Sequence, residues 1–453
     1  MAEIQPFRAL RYDTHRVTPE GVLTQPYDKI TAVMQDRYYA LSPYNLIAVE
    51  KGRVLPDDTA ENNVYTRAAS KVNEWMTAKI LVEDAAPAVY IYSEEFFVPG
   101  TRTHRVRSGF VALLRVEDYE KGVVFRHEYT LAGPKADRIE LLRHTGVQTG
   151  QLFLLYDDPA RQIDAWLDEA AAEAPAVELQ DEFRVTHRLW PVTNTRFIQR
   201  IQKAMASQKI VIADGHHRYE TALAFRNECR ARRGRFDPLA GSEFAMATFV
   251  NAQSQGLTIL ATHRLVSHLP EFTFEGFRRK LTPFFDWYSY PFAHPEERRV
   301  AYDEFRRDFE KLNENRRTIG VYPRAPLPGT NVFYLFVLKR GIDLADYLPH
   351  VSEMQRGLDV VLLHRLVLEK GLGITAEAIA AEKNVGYERE MDAAIAAVDC
   401  GDAQVAFLLN PVRVEQVIDI ALGGDVLPQK STDFYPKLLS GLAIYRVEGQ
   451  ITG

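Results

Sequence analysis

The chain has 453 residues, 46% of them hydrophobic and 26% charged, with a formal net charge of −6, so it is long enough for about two or three domains. That balance excludes disordered and fibrous classes, and the mild acidity offers no overall attraction to DNA or to an anionic membrane. Two cysteines, Cys229 and Cys400, stand in no metal-ligand spacing and fit a reducing compartment with two packed, inert thiols.

The N-terminus "MAEIQPFRALRYD" lacks an apolar signal core, and no run approaches the roughly 18 apolar residues of a membrane span; a cytoplasmic protein is expected. The first 60 residues are rich in proline, tyrosine and turn residues, with "LTQPYDKI" and "LSPYNLIAVE" reading as short extended pieces joined by loops. "TAENNVYTRAASKVNEWMTAKILV" has helical apolar spacing, with Thr59 as the expected N-cap. "AVYIYSEEFFV" and "HRVRSGFVALLRVEDY" flank a Pro-Gly turn and read as an antiparallel pair.

The middle of the chain alternates. "GQLFLLYDD", "FRVTHRLWPV", "KIVIADG" and "FAMATFVNA" read as strands, separated by helices in "PARQIDAWLDEAAAEA", "TNTRFIQRIQKAMAS" and Gly215 to about Arg233; parallel pairings are expected. Beyond Pro270, "TFEGFRRKLTPFF", "ERRVAYDEFRRDFEKLNE", "LDVVLLHRLVLEKG" and "VEQVIDIALGG" predict helices, and "TIGVYPR", "NVFYLFVLK" and "AQVAFLLNPV" predict strands. Boundaries are expected near 125 and 265, giving an N-terminal α+β region (1–125), an α/β region (126–265) and a C-terminal α+β region (266–453).

The densest chemistry lies in "KIVIADGHHRYETALAFRNE", residues 209–228. A helix starting at Gly215 leaves its first four N–H groups unpaired and carries the positive end of its dipole there, which suits a phosphate. Glycine admits an anion close to the backbone, Asp214 is placed to cap the helix, and Arg218 can fork onto phosphate oxygens. The bland alternative makes Asp214 a cap, His216 and His217 solvated first-turn residues and Arg218 a partner of Glu220 or another carboxylate; four adjacent polar functions after an apolar strand favour a ligand site. His216 and Glu220, four apart, share a helix face, but no third ligand at defined spacing completes a metal site, so the metal is left unassigned.

Two further clusters stand out. "FRHEYTLAGPKADR" gathers Arg126, His127, Glu128, Lys135, Asp137 and Arg138 around a Gly-Pro break; its alternative is a charged surface loop. It is not a zinc-protease HExxH, since the fifth position is Leu131. "GDVLPQKSTDFYPK" approaches a P-loop, but Gln429 replaces the second glycine and the upstream segment reads as helix, so that motif is rejected. Lys430, Ser431 and Thr432 can still present an ammonium and two hydroxyls to a phosphate, unless they form an ordinary capped turn.

Together, "QPYDKI", "RHEYT", "GPKADR", "ADGHHRYETA", "LHRLVL" and "LPQKSTDFYPKLLSGL" resemble the signatures of a bacterial and archaeal family, domain of unknown function 1015 (DUF1015), over nearly the whole chain. The strand followed by "DGHHR" also resembles the nucleotide-binding turn of the ParB/sulfiredoxin-like superfamily, whose members include CTP-dependent partition proteins, ATP-using sulfiredoxins and free-serine kinases. The resemblance implies a mixed α+β fold with a ParB/sulfiredoxin-like core carrying large insertions, and phosphate contacts from Gly215, His216, His217 and Arg218. It places Asp214 where the kinases carry an acidic residue. His216 stands where sulfiredoxins have their reactive cysteine, and no helix-turn-helix reader follows, which leaves the kinase-like branch.

The expected activity is phosphoryl transfer or hydrolysis on a small metabolite, a serine-like hydroxy amino acid being one such. Asp214, Glu128, His127 and His216 are the candidate catalytic groups. Gly215, His217, Arg218, Arg126, Lys135, Lys430, Ser431 and Thr432 are the candidate phosphate or nucleotide contacts. ATP, ADP or CTP with Mg²⁺ is the expected cofactor. The partner is a nucleotide or phosphorylated metabolite, without specific nucleic acid or membrane, and the oligomeric state is open. The competing readings are a nucleotide-gated ParB-like switch and a nucleotide-independent phosphatase.

Overall fold

A computed structural model describes residues 2–128, 132–324, 330–381, 383–428 and 430–447. The protein is mixed α+β and divides into two compact units. The first comprises Met1–Arg126, Thr130–Thr258 and Phe434–Gly453; the second comprises His127–Tyr129 and Ile259–Asp433. Tyr129 to Leu131 and Gln429, parts of "RHEYT" and "LPQKST", lie outside the described residues.

The first unit is built on a nine-stranded sheet of β1 (Ile4–Gln5), β2 (Val89–Phe97), β3 (His104–Arg115), β4 (Val124–Phe125), β5 (Leu152–Tyr156), β6 (Val177–Gln180), β7 (Thr186–Val192), β8 (Ile210–Asp214) and β9 (Phe244–Asn251). The strand order is β4-β8-β5-β9-β3-β2-β7-β6, with β1 paired to β3. Parallel pairing occurs at β4–β8 and β5–β9, while the expected hairpin β2–β3 is antiparallel. The first four residues of β8 and all of β9 are buried. Strands covered on both faces read as unbroken apolar runs rather than alternating ones.

Five helices of this unit matter below: α1 (Val64–Thr77), α2 (Ala132–Thr145), α3 (Gln162–Ala170), α4 (Thr195–Met205) and α5 (His216–Arg233). Helix α4 buries Phe197, Ile198, Ile201 and Met205, one stripe of a 3.6-residue period in which each large side chain contributes about 1.5–3 kcal/mol. The expected cap of α1 is corrected: Asn63, not Thr59, accepts from the Tyr65 and Thr66 N–H groups and completes a capping box with Thr66. The Thr59 hydroxyl instead accepts the Asn62 N–H, ahead of the helix. Helix α2 runs through the expected Gly-Pro break, because a proline in the first turn removes an N–H that would have no helical partner. "LTQPYDKI" and "LSPYNLIAVE" are not wholly extended; a helix spans Ala32–Leu41 and a helical turn spans Ile47–Glu50.

The second unit holds a six-stranded sheet of β10 (His263–Val266), β11 (Phe285–Phe292), β12 (Thr318–Pro323), β13 (Asn331–Leu338), β14 (Val385–Glu388) and β15 (Val405–Leu408), in the order β11-β13-β12-β15-β10-β14 and antiparallel throughout. Strand β11 was not anticipated: "FDWYSYPF" carries Asp286, Ser289 and Pro291, which an edge strand tolerates. Helix α6 (Pro295–Asn313) buries Ala301, Phe305 and Phe309 against a core that includes Phe333 and Leu335. The helical "LDVVLLHRLVLEKG" begins at Asp359 and widens into a π-helix over Leu363–Leu372. Cys400 is exposed rather than packed, and Cys229 is half-buried. No helix among the described residues is long and apolar enough to cross a membrane.

Candidate functional site

The turn between β8 and α5 forms as the spacing predicts, with one correction. Gly215, at φ +94°, is the N-cap and Asp214 is the last strand residue. The ladder shifts register between Ile212 and Asp214, and a bulge of this kind bends a strand end and re-aims its side chain. Asp214 therefore does not cap α5. Its Oδ1 accepts the Gly215 N–H at 2.8 Å and its Oδ2 accepts the Lys437 ammonium at 2.8 Å. Burial would raise the Asp214 pKa, but Lys437 and Arg218 outweigh it and hold the carboxyl far below the usual range.

Helix α5 is fixed from its first two turns. Tyr219 is fully buried, and its hydroxyl donates to Glu117 O at 2.6 Å and accepts the Glu117 N–H at 3.1 Å. Further along, Arg226 donates to Val116 O and to Asp118 Oδ1. A helix anchored at both points places Arg218 with little freedom.

Arg218 is the least committed cation at this turn. Its side chain is 17% exposed, its Nη1 donates to Gln151 O at 3.1 Å, and its Nη2 lies 3.7 Å from Asp28 Oδ1. A guanidinium carries five N–H donors, so among the described residues one hydrogen bond engages it. Burial would lower its pKa, but Asp28, Glu50, Tyr27 and Asp214 prevail and raise it. Gly150 lies against the guanidinium, where a Cβ would make only ordinary contact at 3.5 Å from its carbon but would crowd the Ser440 hydroxyl at 3.1 Å.

Two of these neighbours, Tyr27 and Asp28, come from "QPYDKI", to which sequence reasoning assigned no role. Tyr27 lies under two guanidiniums, that of Arg138 at 4.2 Å and that of Arg218 at 5.5 Å from its ring centre. Burial pushes the Tyr27 phenol up to about 12, so it stays neutral. Asp28 presents a 43% exposed carboxylate, and Lys29 acts electrostatically on Asp214. The loop is held from below by Lys51, whose ammonium donates to Tyr27 O and Ile30 O. Lys437 was also missed; only its separation of more than two hundred residues from Asp214 concealed it.

The remaining candidates divide between the units. In the first, Arg126 and Lys135 converge on the two oxygens of Glu220 at 3.4 and 3.2 Å. Arg218 has no such bond to Glu220. His217 is half-buried, and burial lowers its pKa against the pull of Glu220, Asp28 and Asp214; His216 is 6% exposed. In the second, His127 Nε2 lies 2.9 Å from Thr432 Oγ1, and Glu128 Oε1 accepts the Lys430 N–H at 3.2 Å. Lys430 adopts φ +58° and holds its ammonium 5.9 Å from the Tyr387 ring centre, while Ser431 donates to Pro428 O. His127 and Glu128 of "RHEYT" thus meet Lys430 and Thr432 of "LPQKST" within the second unit. Among the described residues, no three His, Cys, Asp or Glu side chains are grouped to hold a metal ion.

The family model described as "Protein of unknown function (DUF1015)" matches residues 4–361. The chain belongs to this family. The matched span contains "QPYDKI", "RHEYT", "GPKADR" and the "ADGHHRYETA" turn; "LHRLVL" and "LPQKSTDFYPKLLSGL" lie beyond it. Among solved structures, a conserved hypothetical protein from Pyrococcus furiosus is similar at 12% identity and a TM-score of 0.34, with 72% of this chain and 92% of that one covered. Variants of free serine kinase, one in complex with AMP and one with ADP, are similar at 12% identity, covering 71% of this chain and 89% of theirs, with TM-scores of 0.34 and 0.33. No curated protein matches the chain.

Proposed function

We propose that the first unit binds the phosphates of a nucleotide, ATP, ADP or CTP, at the Gly215–Arg218 turn. It transfers a phosphoryl group to the hydroxyl of a small metabolite, a serine-like hydroxy amino acid being the type. The observation that carries this reading is the Arg218 guanidinium: fixed by an anchored helix, largely buried, and spending one of its five donors on the protein. Such a group stabilises charge that develops on a transferring phosphoryl without having to reorganise. The positive dipole end of α5 lies at the same turn.

The carboxylates take different parts. Asp214 has both oxygens engaged and is held strongly acidic, so it orients the turn and Lys437 rather than accepting a proton. Asp28, more exposed and touching only the rim of Arg218, is the general base that takes the proton of the attacking hydroxyl. His217, with its pKa lowered, enters as a neutral imidazole able to donate one hydrogen bond to a phosphate oxygen. Mg²⁺ brought in with a nucleotide uses one or two protein carboxylates beside the phosphates. Asp28 would supply that donor, since both Asp214 oxygens are engaged, and the ion when bound would neutralise phosphate charge.

The test pairs melting temperature with turnover. ATP, ADP or CTP should raise the melting temperature, and labelled phosphate should pass from one of them to a hydroxy amino acid. Asp28→Asn should keep the thermal shift and lose turnover by about 100-fold or more, whereas Arg218→Lys should shrink the shift by about 1–3 kcal/mol of binding. Absence of any nucleotide shift, or release of phosphate from a phosphorylated metabolite without nucleotide, would overturn the reading.

A further inference from the structure

Beside the Arg218 turn, the first unit opens a cleft of about 540 Å³ lined by Tyr27, Lys51, Arg53, Tyr65, Asp137 and Arg138, within the roughly 300–1,000 Å³ of small-molecule sites. Arg138 and Leu141 line both this cleft and a smaller cavity of about 60 Å³ that Arg218 also lines. Tyr27 connects them a second way, since its ring forms part of the cleft and lies against Arg218. The cleft and the Arg218 guanidinium are therefore neighbours, with Tyr27 and Arg138 between them.

The lining defines what the ligand is. Val54 and Leu55 on the cleft wall are 76% and 41% exposed, an apolar face left to water directly beside cationic side chains. In the same lining Asp137 accepts the Tyr65 hydroxyl on Oδ1 and two Arg138 N–H groups on Oδ2, which of about four lone-pair sites leaves one on Oδ1. A matching molecule has a flat, partly apolar body, a hydroxyl donor and an anionic end. Bare phosphate and a free amino acid each lack the first. We infer that this cleft holds the nucleoside of a nucleoside polyphosphate, with the base against Val54 and Leu55, a ribose hydroxyl donating to Asp137, and the phosphates extending to Arg218. This rests on the phosphate reading of Arg218 and adds the organic half of the ligand and its place.

The experiment is calorimetric titration of the full chain with ADP and, separately, with inorganic pyrophosphate. Wild type should bind ADP about tenfold or more tightly than pyrophosphate. Val54→Asn, at an exposed position, and Asp137→Asn should each weaken ADP by about five- to tenfold while leaving pyrophosphate unchanged. Arg218→Lys should weaken both. Equal affinity for the two ligands, or ADP binding indifferent to both cleft variants while Arg218→Lys still weakens pyrophosphate, would discard the cleft and keep the phosphate site. Failure of wild type to bind either ligand would remove the phosphate reading, and this inference with it.

Discussion

Each unit buries an arginine in a polar setting, and the two are used in opposite ways. Arg264 in the second unit is fully buried, donates to Thr262 O and to Lys430 O, and sets its Nε 3.4 Å from His364 Nε2. Burial pulls its pKa down to about 10. Arg218 in the first unit keeps a sixth of its surface, gives one hydrogen bond to the backbone and has carboxylates around it that raise its pKa. A guanidinium whose donors close on backbone carbonyls fastens loops together. One that stands beside a cavity with donors to spare is positioned for an anion, and burial alone does not separate the cases.

The largest expected effect tests that contrast directly. Arg264→Met should cost about 2–4 kcal/mol, because the buried Thr262 carbonyl, the Lys430 carbonyl and His364 lose their donor, whereas Arg218→Met should change stability by less than about 1 kcal/mol. Urea unfolding of both variants measures this, and equal losses would erase the distinction.

A smaller effect is pH-dependent. His263 is buried with its Nδ1 accepting the Leu409 N–H, and burial lowers its pKa to about 4; His364 lies well below the usual value for the same reason. An unfolded histidine takes its proton near pH 6.5, so from there down to about 4 the unfolded chain binds more protons and stability falls as pH falls. Asp359, raised to about 7 by burial, works the other way, since its contribution is present at low pH and lost as pH rises through 7. Two histidines against one carboxyl leave the second unit losing stability as pH falls from about 6 towards 4, and Asp359→Asn should steepen that loss. In the first unit the lowered His217 loses stability over the same range, while the depressed Asp214 contribution is present above about pH 4 and is lost only below it. Hydrogen exchange followed unit by unit reads both slopes; a second unit whose stability does not fall between about pH 6 and 4 would contradict the assignment. The smallest effect sharpens the first-unit side: Asn63→Ala should remove about 1 kcal/mol from α1, seen as faster exchange in that helix with the second unit unaltered.

Most strands and helices were legible because their apolar spacing is regular, as in "KIVIADG" and "TNTRFIQRIQKAMAS". The strand Phe285–Phe292 was hidden by polar residues and a proline that only an edge position tolerates. The strand-to-helix turn was legible because an apolar run ends in an acid and a glycine. Its surroundings were not: Tyr27 and Asp28 lie in a loop without periodicity, and Lys437 reaches Asp214 from the far end of the chain. Asp214 read as a cap because capping residues and bulge-terminating residues share one composition, and the left-handed Gly215 decides between them.

The first unit is finished by its last segment. Residues Phe434–Val447 supply Lys437 to Asp214, Tyr435 O and Pro436 O to the buried Arg107, and backbone pairing to Thr24, Leu10 and Gln148. During translation at roughly 5–20 residues per second, Ile259–Asp433 must emerge before any of these partners exists, a delay on the order of ten seconds or more. A nascent chain that already displays β8, Asp214 and Arg107 therefore waits on the ribosome with a carboxylate unpaired and an arginine half satisfied. Stop codons anywhere in the second unit would yield products in which the Arg218 turn never acquires its lysine.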